Sequence, residues 1–158
     1  MSNPIAEAIR EALEEVVKTY IGIVPNLQQT IVRKDEDSTA LGDISAVIGL
    51  TGEKVSGVFV VSFKKELIFH FIRSLFGEEP KEINQEVLDA AGEISNMICG
   101  SFRRRLENFG PSLKASVPSM VTGENHRIHS LCKSPRLSFI YRVNESFLIV
   151  EFCLDKVG

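Results

Sequence analysis

Residues 84–109, NQEVLDAAGEISNMICGSFRRRLENF, predict one long helix around which the rest of the chain is organised. Asn84 is suited to cap the first turn, in which Glu86 follows. Gly110 and Pro111 should end the helix, because glycine adopts the left-handed conformation and proline cannot continue a helix. At about 100° per residue, one broad face of the helix is apolar and is expected to be buried. That face consists of Val87, Ala90, Ala91, Ile94, Met97, Ile98 and Phe102.

A polar stripe runs along the opposite side of the predicted helix. It consists of Asp89, Glu93, Asn96 and Gly100, at spacings of four, three and four residues, so the four positions align and should face water. Gly92 borders the stripe. An exposed glycine inside a helix costs about 1 kcal/mol relative to alanine without any gain in core packing. We therefore expect that something approaches this surface closely.

The stripe contains a carboxylate and a carboxamide three residues apart, which can act in one pocket. Glu93 could accept hydrogen bonds or pair with a cation, and Asn96 could donate and accept so as to hold a water molecule. Glu and Asn at this spacing also occur on many solvated helices. The pair alone therefore leaves a functional and a merely solvated interpretation open.

Further residues extend this pattern. Asp89 is followed after three residues by Glu93, after two more by Asn96, and after a gap of 21 residues by Pro118. LGDISAVIGLTGEKVSGVFVVSF (41–63), LFGEE (75–79), VLDAAGEISNMICG (87–100) and SVPSMVTGENH (116–126) follow one another along nearly the whole chain. Together they resemble the CheC/CheX/FliY family of chemotaxis phosphatases, in the order of its single-motif, CheX-type members.

The resemblance implies hydrolysis of the aspartyl phosphate on a CheY-type response regulator. Asn96 would orient the attacking water and Glu93 would pair with the regulator's active-site lysine. Partner binding would fall to Asp89, Gly92, Gly100, Arg103 and Pro118. The regulator would supply a Mg²⁺ ion, so no cofactor or metal of the chain's own is expected. The resemblance also implies a homodimer, paired through the C-terminal hairpin or another strand edge.

Two alternatives remain open. One is a non-catalytic binding module for a phosphorylated response regulator. Such a module would be expected to have lost Glu93 or Asn96, and the presence of both residues argues against it. The other is a metal-dependent hydrolase using His126, His129 and a carboxylate. The spacing of the two histidines occurs in metal sites, but no acidic or thiolate ligand of suitable spacing is nearby. The resemblance implies that double-motif members of the family carry a helix with Glu and Asn in each half of the chain. Here the first helix has no such pair, so one active site per chain is expected.

Three arginines, Arg103 to Arg105, stand in the last part of the predicted helix. They could interact favourably with the helix dipole and solvent. Alternatively they form a basic rim that meets an acidic partner, since the first two project near the polar stripe.

Composition places the chain among ordinary globular domains. Its 158 residues fit one domain, with 44% hydrophobic and 25% charged residues. A net charge of −3 gives no reason to expect nucleic acid or an anionic membrane as partner. No apolar run approaches the roughly 20 residues needed to span a bilayer and the acidic N-terminus is no signal peptide, so a cytoplasmic protein is expected.

The three cysteines do not suggest a cross-linked scaffold. Cys99, Cys132 and Cys153 are odd in number, widely spaced and outside any CxxC arrangement. The pattern argues against both a disulfide and a zinc site, and predicts three buried or half-buried thiols.

The order of the remaining elements predicts an α+β fold. Helices are expected at 4–20 and 64–76, and strands at 27–33, 44–50, 55–63, 113–121, 136–143 and 147–154, with a loop at 122–130. Pro118 lies within the fourth of these strands, which must therefore lie near an edge of the sheet. The result is a single domain of about three helices packed on a largely antiparallel sheet of about six strands.

Overall fold

A computed structural model of the protein describes residues 3–33, 42–126, 128 and 132–157. The helical segments are α1 (Pro4–Leu13), a π-helical turn (Glu14–Lys18), α2 (Thr19–Ile21), α3 (Lys65–Phe76) and α4 (Gln85–Leu106). The strands are β1 (Asn26–Arg33), β2 (Gly42–Thr51), β3 (Val55–Phe63), β4 (Lys114–Ala115), β5 (Ser119–His126), β6 (Arg136–Val143) and β7 (Ser146–Lys156).

The N-terminal helix is continuous from α1 through the π-helical turn to α2, which confirms the helix predicted at 4–20. The Asn3 side chain caps it by accepting a hydrogen bond from the Ile5 amide at 2.9 Å. Gly22, with φ of 69°, ends it in the left-handed conformation. One side of this helix is buried, with Ile9 and Leu13 fully inaccessible.

The seven strands form one antiparallel sheet in the order β1-β6-β7-β3-β2, with β4 and β5 both pairing with the outer side of β2. The predicted α+β class is confirmed, and the described residues contain seven strands where about six were expected. The C-terminal hairpin of β6 and β7 lies inside the sheet, because β6 also pairs with β1 and β7 with β3. Within the described residues, its long sides are therefore covered and neither is an edge for pairing.

The edge beside β2 corrects the prediction of one strand at 113–121. Leu50 pairs with Ala115 and Val47 with Ser119, so the outer strand has one residue more than β2 in this interval. The strand breaks there into β4 and β5, and Pro118 lies in the bulge between them. The expectation of an edge position is confirmed, whereas residues 122–126, expected in a loop, belong to β5.

The helices cover one face of the sheet and α4 crosses the middle of the core. Phe102 of α4 lies between Phe59 and Phe152, with ring centroids 5.2 and 4.9 Å away. All predicted members of the apolar face are buried except Met97, which is partly exposed and accepts a hydrogen bond from the Tyr20 hydroxyl at 3.3 Å.

The end of α4 differs from the prediction. Gly110 does not have positive φ, and the last turn closes instead through its amide, which donates to the Leu106 carbonyl at 2.7 Å. The left-handed glycine occurs at the end of α3, where Gly77 has φ of 85°. Helix ends with similar sequence signals are therefore closed in two different ways.

The cysteine prediction is wrong for two of the three residues. Cys132 and Cys153 form a disulfide with their Cα atoms 6.3 Å apart, which attaches the segment before β6 to β7. Only Cys99 is a free, buried thiol. The wide spacing gave no signal because the pairing depends on which residues the sheet brings together.

Candidate active site on helix α4

The polar stripe lies on the outer surface of α4, as the periodicity predicts. Asp89, Glu93 and Asn96 are exposed, and Gly92 and Gly100 are half-buried. Residues three or four positions apart on a helix have Cβ atoms about 5–6 Å apart, so Glu93 and Asn96 can contact the same bound group. Burial of the opposite apolar face fixes this orientation.

The two glycines of this surface are not required by packing inside the chain. Among the described residues outside the helix's own adjacent backbone, a Cβ atom at Gly92 would meet only the Met120 sulfur at 3.6 Å, and one at Gly100 only the Arg104 guanidinium at 3.6 Å. Both are ordinary van der Waals distances. By contrast, a Cβ at Gly57 would lie 2.0 Å from the Cys153 carbonyl oxygen. The helix glycines therefore leave space toward solvent.

The segment carrying Pro118 runs beside α4. At one end of the segment, the Arg103 guanidinium donates to the Leu113 carbonyl at 3.0 Å. At the other end, the Met120 side chain lies beside Gly92. Pro118 is half-buried between them. It therefore forms part of a rim alongside the stretch of α4 that contains Asn96.

The three arginines of α4 have different surroundings. Arg103 is half-buried and bound to the rim, as described above. Arg105 donates to Glu11 at 2.5 Å and to Glu15 at 3.3 Å, and Arg104 lies 3.6 Å from Glu15. The Ser101 hydroxyl also donates to Glu15, which lowers the pKa of that carboxyl, and Arg105 adds to the effect against the opposing influence of burial. Arg104 and Arg105 thus bind the N-terminal helix to α4.

The histidine alternative finds no support in the described residues. The Nδ1–H of His126 donates to the Gly123 carbonyl at 2.8 Å, which leaves Nε2 to accept from the Ser45 hydroxyl at 2.6 Å. His129 lies outside the described residues. Among those that are described, no group of three or more His, Cys, Asp or Glu side chains is placed to hold a metal ion.

A groove beside the stripe was not foreseen from the sequence. It has a volume of about 530 Å³ and lies between α3 and the first half of α4, with Glu93 at one end. Phe76, at the end of α3, is 69% exposed at its edge. The sequence feature that could have indicated the groove is Phe76, which stands directly before the helix-ending Gly77 in a segment to which no role was given.

The chain is similar to known proteins of one family. A model of the chemotaxis phosphatase CheX family matches residues 44–142, more than half of the chain. The chain therefore belongs to the CheX family of chemotaxis phosphatases. In the described part of the chain, every helix is too short or too polar to cross a lipid bilayer.

Individual relatives cover most of the chain. The CheY-P phosphatase CheX of Thermotoga maritima is 27% identical over 132 residues, 82% of this chain and 83% of that protein. The crystal structure of chemotaxis protein CheX from Desulfovibrio desulfuricans has 35% identity and a TM-score of 0.85, over 97% of this chain and 100% of that one. The CheX of a CheX–CheY–BeF₃–Mg²⁺ complex from Borrelia burgdorferi shares the fold, with 19% identity, a TM-score of 0.74 and coverage of 97% and 96%.

Proposed function

We propose that this chain hydrolyses the aspartyl phosphate of a phosphorylated CheY-like response regulator. The observation that carries the proposal is the exposed pair of Glu93 and Asn96 on one face of α4, beside the half-buried Gly92 and Gly100, which carry no side chain. Membership of the CheX family supports it. So do the relatives, one of them a CheY-P phosphatase and another a CheX bound to CheY.

The reaction needs few groups from this chain. Water attacks the phosphorus atom in line with the bond to the aspartate oxygen, and the products are the free aspartate carboxylate and inorganic phosphate. In the proposed complex the regulator supplies a Mg²⁺ ion and a lysine, which stabilise the charge on the phosphoryl oxygens. The chain then needs no cofactor of its own, and its contribution is an ordered water molecule.

Two side chains of the stripe would complete the regulator's active site. The Asn96 carboxamide accepts a hydrogen bond from the attacking water and holds it in line with the breaking bond. The Glu93 carboxylate pairs with the regulator's lysine and fixes the orientation of the two proteins. Neither residue acts as a nucleophile.

The residues around this pair would shape the contact with the regulator. Asp89 lies one turn before Glu93 and adds to docking, and the absence of side chains at Gly92 and Gly100 lets the regulator approach the helix backbone. Pro118 forms the adjoining rim. Arg103 keeps that rim in position through its bond to the Leu113 carbonyl.

We also propose that the chain pairs as a homodimer through a sheet edge. The strand β1 is a candidate because it pairs on one side with β6 and carries the exposed side chains of Leu27 and Val32. The broken edge at β4 and β5 is a poorer template, since the bulge at Pro118 interrupts its hydrogen-bonding groups.

The proposed function is tested by the decay of ³²P-labelled phospho-regulator with Mg²⁺ and catalytic amounts of the protein. We expect accelerated decay with the wild type. Turnover should fall about 100-fold or more for Asn96→Ala, because the attacking water is no longer held in line with the breaking bond. Glu93→Ala should lose activity as well. Asn108→Ala and Glu53→Ala, which remove the same groups from exposed positions elsewhere, are the matched controls.

Binding to the BeF₃-treated regulator, measured in parallel, separates the roles. Asn96→Ala should bind nearly as well as the wild type if its contribution is the alignment of water. An equal loss of binding and turnover would make Asn96 a docking contact only. Binding by the wild type without any accelerated decay would establish the non-catalytic binding module instead.

A further inference from the structure

The groove beside Glu93 has an apolar floor that opens to solvent. Side chains of α3 and α4 form this floor, and the connection between the two helices closes one side. Its apolar lining residues are Ile72, Phe76, Pro80, Val87 and Ala90. Phe76 is 69% exposed, whereas Val87 is buried, so the groove presents a large aromatic surface above a packed base. Exposed aromatic groups of this kind are enriched where proteins bind each other.

The rim of the groove has a single sign of charge. Five carboxylates surround it, namely Glu78, Glu79, Glu86, Asp89 and Glu93. The residues that line the groove, all within the described part of the chain, include no lysine or arginine. Among the described residues, none of these five carboxylates forms an ion pair, whereas acidic residues of the N-terminal helix are paired with arginines. The groove therefore attracts a positively charged surface.

The groove is continuous with the candidate active site. Glu93 belongs to both, and the groove follows α4 from Glu93 back to Glu86, which is about 10 Å at 1.5 Å per residue. A regulator whose lysine reaches Glu93 has neighbouring parts of its surface within reach of this groove. The distance accommodates one apolar side chain flanked by one or two cationic ones.

We propose that this groove binds a basic, amphipathic segment of the response regulator, adjacent to its phosphorylated aspartate, and so helps to select the regulator. An apolar side chain of that segment packs against Phe76, and its lysine or arginine side chains face the carboxylates of the rim. The inference rests on the proposed function, because it takes the regulator as the partner at Glu93. It assigns Phe76, Glu78 and Glu79 to partner choice and none of them to the chemical step.

The test compares Phe76→Ala and the double variant Glu78→Lys/Glu79→Lys with the wild type. These residues are exposed, so the variants should fold. We expect KM for the phospho-regulator to rise about tenfold in each, the loss that follows from removing one well-placed contact, while kcat stays within about twofold. The dissociation constant for the BeF₃-treated regulator should rise in parallel, and its salt dependence should weaken in the double variant.

Phe109→Ala and Glu53→Lys are the matched controls, since both residues are exposed away from the groove. They should leave KM unchanged. Unchanged KM and binding in the groove variants, with activity still abolished by Asn96→Ala, would overturn the groove proposal and leave the proposed function standing. A change in oligomeric state of Phe76→Ala, seen in sedimentation without any effect on regulator binding, would overturn it in favour of a second copy of the chain as the occupant.

If the wild type binds the regulator without hydrolysing it, weakened binding by the groove variants would still support the groove as the docking site. In that case the proposed hydrolysis would be wrong, and the groove proposal would still hold. Binding and turnover are therefore both measured for every variant.

Discussion

Gly100 is the position where stability and activity should respond in opposite directions. A methyl group there would meet the Arg104 guanidinium at an ordinary 3.6 Å and, outside the helix's own adjacent backbone, no other described residue within 4 Å. Alanine loses less backbone entropy than glycine when a helix forms. The protein therefore retains a less stable residue in the middle of its longest helix, on the face that carries Asn96.

We expect Gly100→Ala to raise the free energy of unfolding by about 0.5–1 kcal/mol, measured by urea denaturation. Phosphatase activity should fall, because the added methyl group keeps the regulator from the helix backbone. Unchanged activity in the more stable variant would show that close approach at this position is unnecessary. Asn108→Ala, beyond the end of α4, controls for a general effect of surface alanine.

Residues whose role depends on helical spacing could be predicted from the sequence. The stripe and its burial pattern follow from a period of 3.6 residues, and the resemblance to a family drew attention to Glu93 and Asn96 in particular. The roles assigned to these residues remain predictions. The Cys132–Cys153 disulfide could not be predicted, because the two residues are brought together by the packing of a segment against β7.

The start of α3 is capped from a different element. Its own N-cap residue, Lys64, makes no side-chain cap, and the Asp43 carboxylate in β2 accepts from the Lys65 amide at 2.9 Å. The other oxygen of Asp43 accepts from the Asn125 amide at 3.1 Å. One carboxylate thus joins β2, α3 and β5.

Burial raises the pKa of Asp43, but the hydrogen bonds from the Lys65 and Asn125 amides and the charges of Lys64 and Lys65 together outweigh it, so the pKa of Asp43 is lowered. A lowered folded-state pKa means that the unfolded chain binds the proton more tightly. The carboxylate therefore contributes stability above its unfolded pKa of about 3.9, and this contribution is lost as the pH falls through the lower folded value.

Asp43→Ala should lower the free energy of unfolding by about 1–3 kcal/mol at pH 7, because two backbone amides lose their acceptor. The variant should also lose less stability than the wild type between pH 4 and pH 2. Urea denaturation at several pH values measures both effects. Equal acid sensitivity of the two proteins would contradict the assignment, and Glu53→Ala, an exposed turn residue, serves as control.

Elements were more predictable than their connections. The bounds predicted for α3, α4, β3 and β6 match the structure within about three residues, since each has a clear periodicity and turn signals at its ends. The division of β4 from β5 was missed because the bulge depends on pairing with β2. The cap at Asp43 was missed because it acts from 22 residues away.

At the scale of the whole molecule, the disulfide closes a loop of 21 residues and attaches it to a strand near the centre of the sheet. Reduction should lower the free energy of unfolding by about 3 kcal/mol, because it returns conformational freedom to the unfolded chain. Reductant should lower the urea midpoint of the wild type and leave the midpoint of a Cys132→Ser/Cys153→Ser variant unchanged. A wild-type midpoint that does not change with reductant would contradict the Cys132–Cys153 disulfide.

Thiol counting gives an independent check of the same pairing. Burial raises the pKa of Cys99 to about 11, so the folded protein should resist alkylation at pH 8. Mass spectrometry should find one adduct after unfolding in urea without reductant, and three after reduction. Three adducts without reductant would mean that the disulfide is absent.

The fold class was predictable because helical and strand periods alternate clearly along the chain. The order of strands was not, since any antiparallel strands of similar composition can become neighbours. In particular, the C-terminal hairpin resembled an edge in the sequence and lies inside the sheet, where β1 and β3 flank it.

The ion pairs between the N-terminal helix and α4 also bear on how the chain is made. Glu11 leaves the ribosome 94 residues before Arg105, its partner. At about 5–20 residues per second, this interval lasts about 5–20 s. Throughout it, the apolar side of the first helix, including Ile9 and Leu13, has no α4 to pack against. Until α4 has been translated, this apolar side of the first helix is therefore open to aggregation or to a chaperone.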